Sequence, residues 1–221
     1  MDMPHINRRT AWASIAVASA LLAACQSSGH RRVDATSTRL DQMRASLDQL
    51  ESELKSTADS LAVVVEHADS GPEAALTQFK KDVKAVEASY GHARARLTEA
   101  ETEASKLFET WTKNASLISD PDLRALSEKR RDELKAALDS VTARMQEAVS
   151  EMEDFVSTSR DLVTYLDQDL TPEGVRALAD KSRVHSERAA SIAGLFDAVE
   201  QAAADAAPMF ATAMPPPAPK S

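Results

Sequence analysis

The feature that most constrains the fold is a heptad repeat that recurs in four successive segments of the chain. In each segment apolar residues alternate at spacings of three and four, which places them at the a and d positions of a coiled coil. In the first segment, for example, Leu40, Leu47, Leu54 and Leu61 lie seven residues apart. The a and d positions are apolar throughout except at Thr57, Ser159, Ser182 and His185. This strict period predicts left-handed supercoiling with knobs-into-holes packing.

Three isolated prolines divide the repeat into helices. Pro72 follows Gly71, Pro121 follows Asp120, and Pro172 follows Thr171. Proline at the first position of a helix, after a glycine or a capping residue, is typical of a helix boundary. We therefore predict helices over about 33–70, 72–118, 121–169 and 172–206.

Connections of two or three residues make consecutive helices antiparallel. The predicted fold is all-α, an elongated antiparallel four-helix coiled-coil-like bundle of up-down-up-down order. Two extended helical hairpins joined in a row are the alternative. Aromatic residues form only 4% of the chain, so the core must consist mainly of Ala, Leu, Val and Met.

The amino-terminal segment has the pattern of a lipoprotein signal peptide. Two arginines precede an apolar run of about 14 residues, which is shorter than the roughly 20 that a spanning helix needs. The run ends in Leu22, Ala23, Ala24 and Cys25, which match the lipobox of bacterial lipoprotein precursors. Because Cys25 is the only cysteine of the chain, we expect cleavage after residue 24 and lipidation of its thiol. The alternative is a secreted protein with an unmodified cysteine.

The same segment predicts a location. Arg8 and Arg9 leave general secretion and twin-arginine export open. Gln26 replaces the aspartate that retains proteobacterial lipoproteins in the inner membrane. We expect an envelope protein facing the periplasm and anchored in the outer membrane through Cys25.

Both ends of the predicted bundle adjoin segments with little helical signal. Residues 25–32 are predicted to form a flexible tether. Residues 207–221 hold five of the nine prolines and are predicted to be a disordered, polyproline-like tail. This tail is either a frayed end or a docking peptide.

The residue types of common catalytic and metal sites do not occur in the required patterns. A net charge of −9 argues against binding nucleic acid phosphates, and one cysteine excludes a Cys-rich metal site. None of the five histidines follows a glutamate at the spacing of carboxylate-bridged diiron bundles. We expect no enzyme, no metal and no cofactor.

Two features remain candidates for a site. Leu107, Phe108 and Trp111 form the densest apolar cluster, either core beside the turn between helices two and three or a surface for a partner. His185 occupies a core position, either as a spacer bonded to the hydroxyl of Ser159 or Ser182, or as a pH-sensitive joint.

Several short motifs resemble an uncharacterised family of bacterial lipoproteins whose shared domain has no known function. The motifs lie at Leu107–Trp111, Asn114–Leu117, Leu126–Leu134 and Asp161–Leu166, with Met152, Phe155 and Val156 between them. The resemblance covers roughly residues 35–206 and implies an all-helical periplasmic lipoprotein without an assigned activity. At Asp167–Asp169 the chain departs from the Lys-His-Asn run of its relatives, so a role for that basic corner does not carry over.

Two functions are consistent with these features. The first is a structural or adaptor lipoprotein whose helical rod and Pro-rich free end present surfaces to an unidentified envelope protein. The second is a carrier of a small hydrophobic or envelope ligand inside the bundle, for which small Ala and Ser core residues would leave space. A second apolar stripe at Leu123, Leu126 and Leu195 could also drive homo-oligomerisation.

Overall fold

The computed structural model describes residues 28–213, with side-chain surroundings for residues 33–209. Within that part the chain forms helices and no strand, which confirms the predicted all-α fold. The helices are α1 (Ser28–Glu66), α2 (Glu73–Ala115), α3 (Pro121–Gln168), α4 (Pro172–Arg176) and α5 (Ala179–Ala213). None of these helices is long and apolar enough to cross a membrane.

The four long helices pack into a bundle. Helix α1 contacts α2 and α5, and α3 contacts α2 and α5, so each long helix has two long neighbours. The pairs Lys80–Asp167, Glu87–Arg160 and Glu101–Gln146 join α2 to α3. Along these pairs the residue number in α3 falls as the residue number in α2 rises, so the two helices run antiparallel. Two hairpins joined in a row would not bring α1 against α5.

The residues predicted to mark the helix boundaries cap the helices or form the turns between them. Asp120 accepts hydrogen bonds at its Oδ1 from the backbone N–H groups of Asp122 (2.9 Å) and Leu123 (3.0 Å), which caps α3. Thr171 Oγ1 accepts from the N–H of Gly174 at 3.1 Å and caps α4. Gly71 has a φ of 97°, a left-handed conformation that residues with a side chain disfavour. This explains why a glycine stands in the connection between α1 and α2.

Two boundary predictions were wrong, and in both cases the helices are longer than expected. Helix α1 begins at Ser28, inside the predicted tether, because no proline opposes the propagation of a helix once it is nucleated. Helix α5 continues through Pro208 to Ala213, inside the predicted disordered tail. A proline removes one backbone hydrogen bond, but its φ is helical, so the chain can continue the helix beyond it.

The predicted helix over 172–206 is interrupted. Helix α4 ends at Arg176, and the N–H of Leu178 bonds to the carbonyl of Val175 at 3.0 Å. That three-residue spacing is tighter than the α-helical one and produces a short turn before α5.

The core consists of two hydrophobic clusters stacked along the bundle. The larger cluster includes Leu54, Phe155 and Phe196, and the smaller one includes Leu61 and Leu166. The clusters meet where buried polar side chains replace apolar ones in three helices: Ser60 in α1, Ser159 in α3, and Ser182 and His185 in α5. A polar layer therefore separates the two halves of the core.

Candidate functional site

The predicted lipobox, Leu22, Ala23, Ala24 and Cys25, lies outside the described residues. Its distance from the bundle is nevertheless bounded, because three peptide units join the Cα atom of Cys25 to that of Ser28, the first residue of α1. An extended chain of that length spans at most about 11 Å. Whatever is attached to Cys25 is therefore held close to the amino-terminal end of α1.

A turn between α2 and α3 lies at the same end of the bundle. The salt bridge between Arg39 Nη1 and Glu99 Oε2 (3.0 Å) places these residues of α1 and α2 side by side. From this level, α1 extends about 17 Å to Ser28, whereas α2 extends about 24 Å in the same direction to Ala115. The hairpin formed by α2 and α3 thus projects several ångströms beyond the start of α1.

We call residues 116–126 of this hairpin the tip; they comprise the turn and the first turns of α3. Besides the Asp120 cap, Arg124 donates from Nε (2.9 Å) and Nη2 (2.6 Å) to the carbonyl oxygen of Ile118. These bonds tie the side chains of Asp120 and Arg124 to the backbone of the turn. Leu117, Leu123 and Leu126 nevertheless remain 75%, 58% and 56% exposed.

Sequence reasoning identified Leu123 and Leu126 only as part of an oligomerisation stripe and did not single out Leu117. Leu195, the third member of the proposed stripe, packs partly buried against the larger core cluster. The stripe is therefore broken, and the two leucines of α3 belong to the tip. The sequence did contain an indication that these leucines lie outside the core. Leu117, Leu123 and Leu126 all precede Leu134, which is the first core position of the third heptad segment.

The predicted cluster Leu107, Phe108 and Trp111 lies on α2 just below the tip. Leu107 is 1% exposed, and Phe108 and Trp111 are half-buried against the larger core cluster. Trp111 Nε1 donates to Ser127 Oγ at 3.0 Å and so ties α2 to α3. Phe108 also lines an open groove of about 890 Å³ between these helices, together with charged residues such as Arg131 and Asp132.

His185 lies in the polar layer, where it is 2% exposed. Its ring stacks on that of Phe155, and Nε2 lies 3.1 Å from Ser159 Oγ. Because Ser159 donates its hydroxyl proton to the Phe155 carbonyl (2.8 Å), its oxygen accepts from a protonated Nε2. The other ring nitrogen, Nδ1, is then the unprotonated one, and it is buried without a hydrogen-bond partner.

The surroundings of His185 favour the neutral imidazole. Burial, and then the positive charge of Arg188, lower the pKa of His185 from 6.5 to about 4. Arg188 itself pairs with Glu151 (3.1 Å) and Asp154 (2.9 Å) across the interface of α5 and α3. Of the two partners that the sequence offered for His185, the structure therefore selects Ser159.

The opposite end of the bundle, which we call the far end, consists of the connections 67–72 and 169–178. Arg176 forms an ion pair with Asp69 that joins the two connections. Asp169 accepts from the N–H (3.1 Å) and Oγ1 (2.6 Å) of Thr171, and these bonds lower its pKa. Asp167, in the acidic corner that replaces the basic run of the resembling family, pairs with Lys80. Both acidic side chains thus have local structural partners.

Helix α5 runs towards the end of the bundle that carries the tip and away from the far end. Burial, and then a hydrogen bond with Asp48 of α1, raise the pKa of Glu200, which places the two carboxyl groups side by side. From Glu200, α5 continues to Ala213 while α1 leads back from Asp48 towards Ser28. The Pro-rich segment therefore leaves the bundle at the end that carries Cys25. The expectation that this segment is a free end stays a prediction, because residues 214–221 lie outside the described residues.

The described residues contain no group of three or more His, Cys, Asp or Glu side chains placed to hold a metal ion. The buried polar layer has a single imidazole and hydroxyl groups but no buried carboxylate hydrogen-bonded to that imidazole. A single polar layer within an apolar core is a known device for specifying helix register.

Comparison with known proteins gives a family but no activity. A family model described as "Protein of unknown function (DUF2959)" matches residues 22–214, a range that includes all five helices. No curated protein and no solved structure matches the chain. The resemblance to a domain of unknown function is thus confirmed.

Proposed function

Because the chain belongs to the DUF2959 family, whose function is unknown, we propose from its own residues that it is a lipoprotein of the bacterial envelope with a structural or adaptor role. The anchor is a diacylglyceryl group on Cys25, and the helical bundle stands between this anchor and a protein partner. The protein faces the periplasm and is held in the outer membrane.

The observation that carries the proposal is the coincidence of the only cysteine with the only lipobox, directly before a long helix. A lipid on Cys25 would be coupled to the bundle by a very short connection. A thioether-linked diacylglycerol together with an amide-linked acyl chain supplies several hydrocarbon chains, each CH₂ contributing about 0.8 kcal/mol on burial. That number of chains anchors a protein stably.

The shape of the bundle supports the structural role. Helix α3 has 48 residues, which correspond to about 72 Å. A bundle that stood upright on its anchor would hold the far end tens of ångströms from the membrane surface. We therefore propose the far end, rather than the Pro-rich segment, as the surface that meets the partner protein.

The adaptor role is favoured over the carrier role because large side chains occupy the bundle axis. Phe79, Phe155 and Phe196 are among the largest fully buried residues, and Met43, Met145 and Met152 accompany them. The groove beside Phe108 is open and lined by charged residues, unlike an enclosed apolar ligand pocket.

The proposal is tested by expressing the full chain and its Cys25→Ser variant in a bacterial host with a lipoprotein pathway. Mass spectrometry of the mature amino-terminal peptide should show a diacylglyceryl adduct on Cys25, and the protein should sediment with membranes. The Cys25→Ser variant should lose both properties, whereas Ser27→Ala, two residues away, should retain them. Membrane sedimentation of Cys25→Ser at the wild-type level would refute the anchor.

The adaptor role needs a separate experiment in the same cells. A photo-reactive amino acid replaces Glu173 at the far end or, as a matched control, Glu147 on the side of α3. A protein adduct that recurs at residue 173, is absent at residue 147 and disappears with Cys25→Ser supports a membrane-tethered adaptor. Adducts distributed equally over both sites would contradict a partner surface at the far end.

A further inference from the structure

The exposed apolar side chains of the bundle are concentrated at one place. Leu117, Leu123 and Leu126 are the three most exposed large hydrophobic residues among those that the structure describes. All three belong to the tip, and Leu123 and Leu126 are three residues apart on one face of α3. The tip therefore presents several leucines to its surroundings at the end of the hairpin.

The position of the tip places it beside the proposed lipid anchor. The tip extends beyond Ser28, and Cys25 lies within about 11 Å of Ser28. If Cys25 is lipidated, its acyl chains enter the bilayer beside the tip. We propose that the tip inserts Leu117, Leu123 and Leu126 into the interfacial region of that same bilayer, as a second membrane contact. This inference rests on the proposed lipidation of Cys25.

The polar groups of the tip are compatible with an interface. Asp120 and Arg124 bind backbone groups of the turn internally, which reduces the number that must lose water on insertion. Residues 113–133 contain five basic and five acidic side chains, so this segment is neutral although the chain carries a charge of −9. The tip itself has a net charge of −1 from Asp120, Asp122 and Arg124, and the basic residues that flank it balance this charge near an anionic membrane.

A second membrane contact would restrict the tilting of the bundle about its anchor. A protein held only through a short connection to Cys25 can tilt freely about that point. Apolar side chains that enter the headgroup region to a depth of about 5–10 Å add a second attachment. With both attachments the bundle no longer tilts freely about one point, because only rotation about the line that joins the two contacts remains.

Trp111 reports on this contact without a label. Its Nε1 bonds to Ser127, the neighbour of Leu126, so the indole lies close to the tip. The other tryptophan, Trp12, precedes Cys25 and would be absent from the processed chain. The lipidated protein is reconstituted into phosphatidylethanolamine–phosphatidylglycerol vesicles that contain a lipid brominated near the top of the acyl chain. Bromine quenches the fluorescence of an indole that is close to it.

The test compares the wild type with a Leu117→Gln, Leu123→Gln, Leu126→Gln variant. Wild-type Trp111 should be quenched, and the triple variant should lose about half or more of that quenching as the leucines leave the interface. A matched variant, Val63→Gln with Val184→Gln, changes exposed apolar residues away from the tip and should keep the quenching. Thermal unfolding of each variant in solution verifies that the bundle is intact.

The outcomes separate the two proposals. Mass spectrometry that finds Cys25 unlipidated overturns the anchor and with it the inference. Lipidated protein that floats with the vesicles but shows equal quenching in all variants, or none, overturns the inference alone. Leucine-dependent crosslinks between two copies, with Trp111 unquenched, would show that a second chain covers the tip and would also overturn it.

Discussion

The imidazole of His185 stacks on the ring of Phe155, with 4.0 Å between the ring centroids and 14° between the ring planes. The two residues come from different helices, α5 and α3, and Phe155 belongs to the larger core cluster. Through its backbone carbonyl, Phe155 also binds the hydroxyl that bonds to His185. Phe155 thus contributes both to the packing and to the tautomer of the only buried histidine among the residues whose side-chain surroundings are described.

This geometry predicts how stability depends on pH. The pKa of His185 is about 4 in the folded chain and 6.5 in the unfolded one. The unfolded state therefore binds the proton first as the pH falls. The stability that the folded chain gains by keeping His185 neutral is fully present above pH 6.5 and is lost as the pH falls to about 4. His185 should account for about 3 kcal/mol of that loss, measured by urea unfolding between pH 7 and pH 4.

Replacing His185 isolates this contribution. His185→Leu should keep the fold and raise the free energy of unfolding at pH 7 by about 1 kcal/mol, because it removes the unpaired buried Nδ1. It should also flatten the pH profile above pH 4. His92→Gln changes an exposed histidine and serves as the control substitution. A large loss of stability in His185→Leu would show that the layer requires the imidazole.

Two helical glycines should be replaceable with a gain in stability. A Cβ atom at Gly91 or Gly194 would meet nothing within 4 Å, so no packing requires either residue. Gly91→Ala and Gly194→Ala should each raise the free energy of unfolding by about 1 kcal/mol, because alanine loses less backbone entropy in a helix. Chemical denaturation followed by circular dichroism measures the effect.

Gly174 provides the opposite case for the same substitution. A Cβ atom there would lie 2.4 Å from Asp169 Cγ, and the carboxylate of Asp169 is held by Thr171. Gly174→Ala should therefore lower stability, since relief of the clash breaks these bonds. Equal effects at residues 91, 174 and 194 would contradict this account.

The cap of α3 should be worth a measurable amount. Asp120→Ala removes the acceptor of two backbone N–H groups and should cost about 1 kcal/mol. Asp120→Asn keeps an acceptor at the same position and should cost much less. Hydrogen exchange at Asp122 and Leu123 localises the effect, and unchanged exchange in Asp120→Ala would rule out a capping role.

The bond between Trp111 and Ser127 should couple α2 to α3. Trp111→Phe keeps an aromatic ring but removes the donor, and Ser127→Ala removes the acceptor. A double-mutant cycle on the free energy of unfolding should give a coupling of about 1 kcal/mol. A coupling near zero would mean that the packing of the Trp111 ring against the core, rather than its hydrogen bond to Ser127, joins α2 to α3 here.

The heptad pattern was informative about burial. Nearly every predicted core position is buried, including the polar exceptions Thr57, Ser159, Ser182 and His185. Leu40, Ala104 and Trp111 are only half-buried, although Leu107 and Ala115 on helix α2 are buried. Periodicity identifies which face of a helix turns inwards, but it does not show how many neighbours are present at each level.

The sequence by itself determined the helices, their main boundaries and the inward faces. These follow from local causes: the heptad spacing, the capping residues and the prolines at 72, 121 and 172. Only the tertiary structure decided that His185 meets Phe155 and Ser159, that the core divides at a polar layer, and that the tip projects beside the start of α1. Those relationships depend on the relative lengths and axial offsets of packed helices, which no single segment of sequence contains.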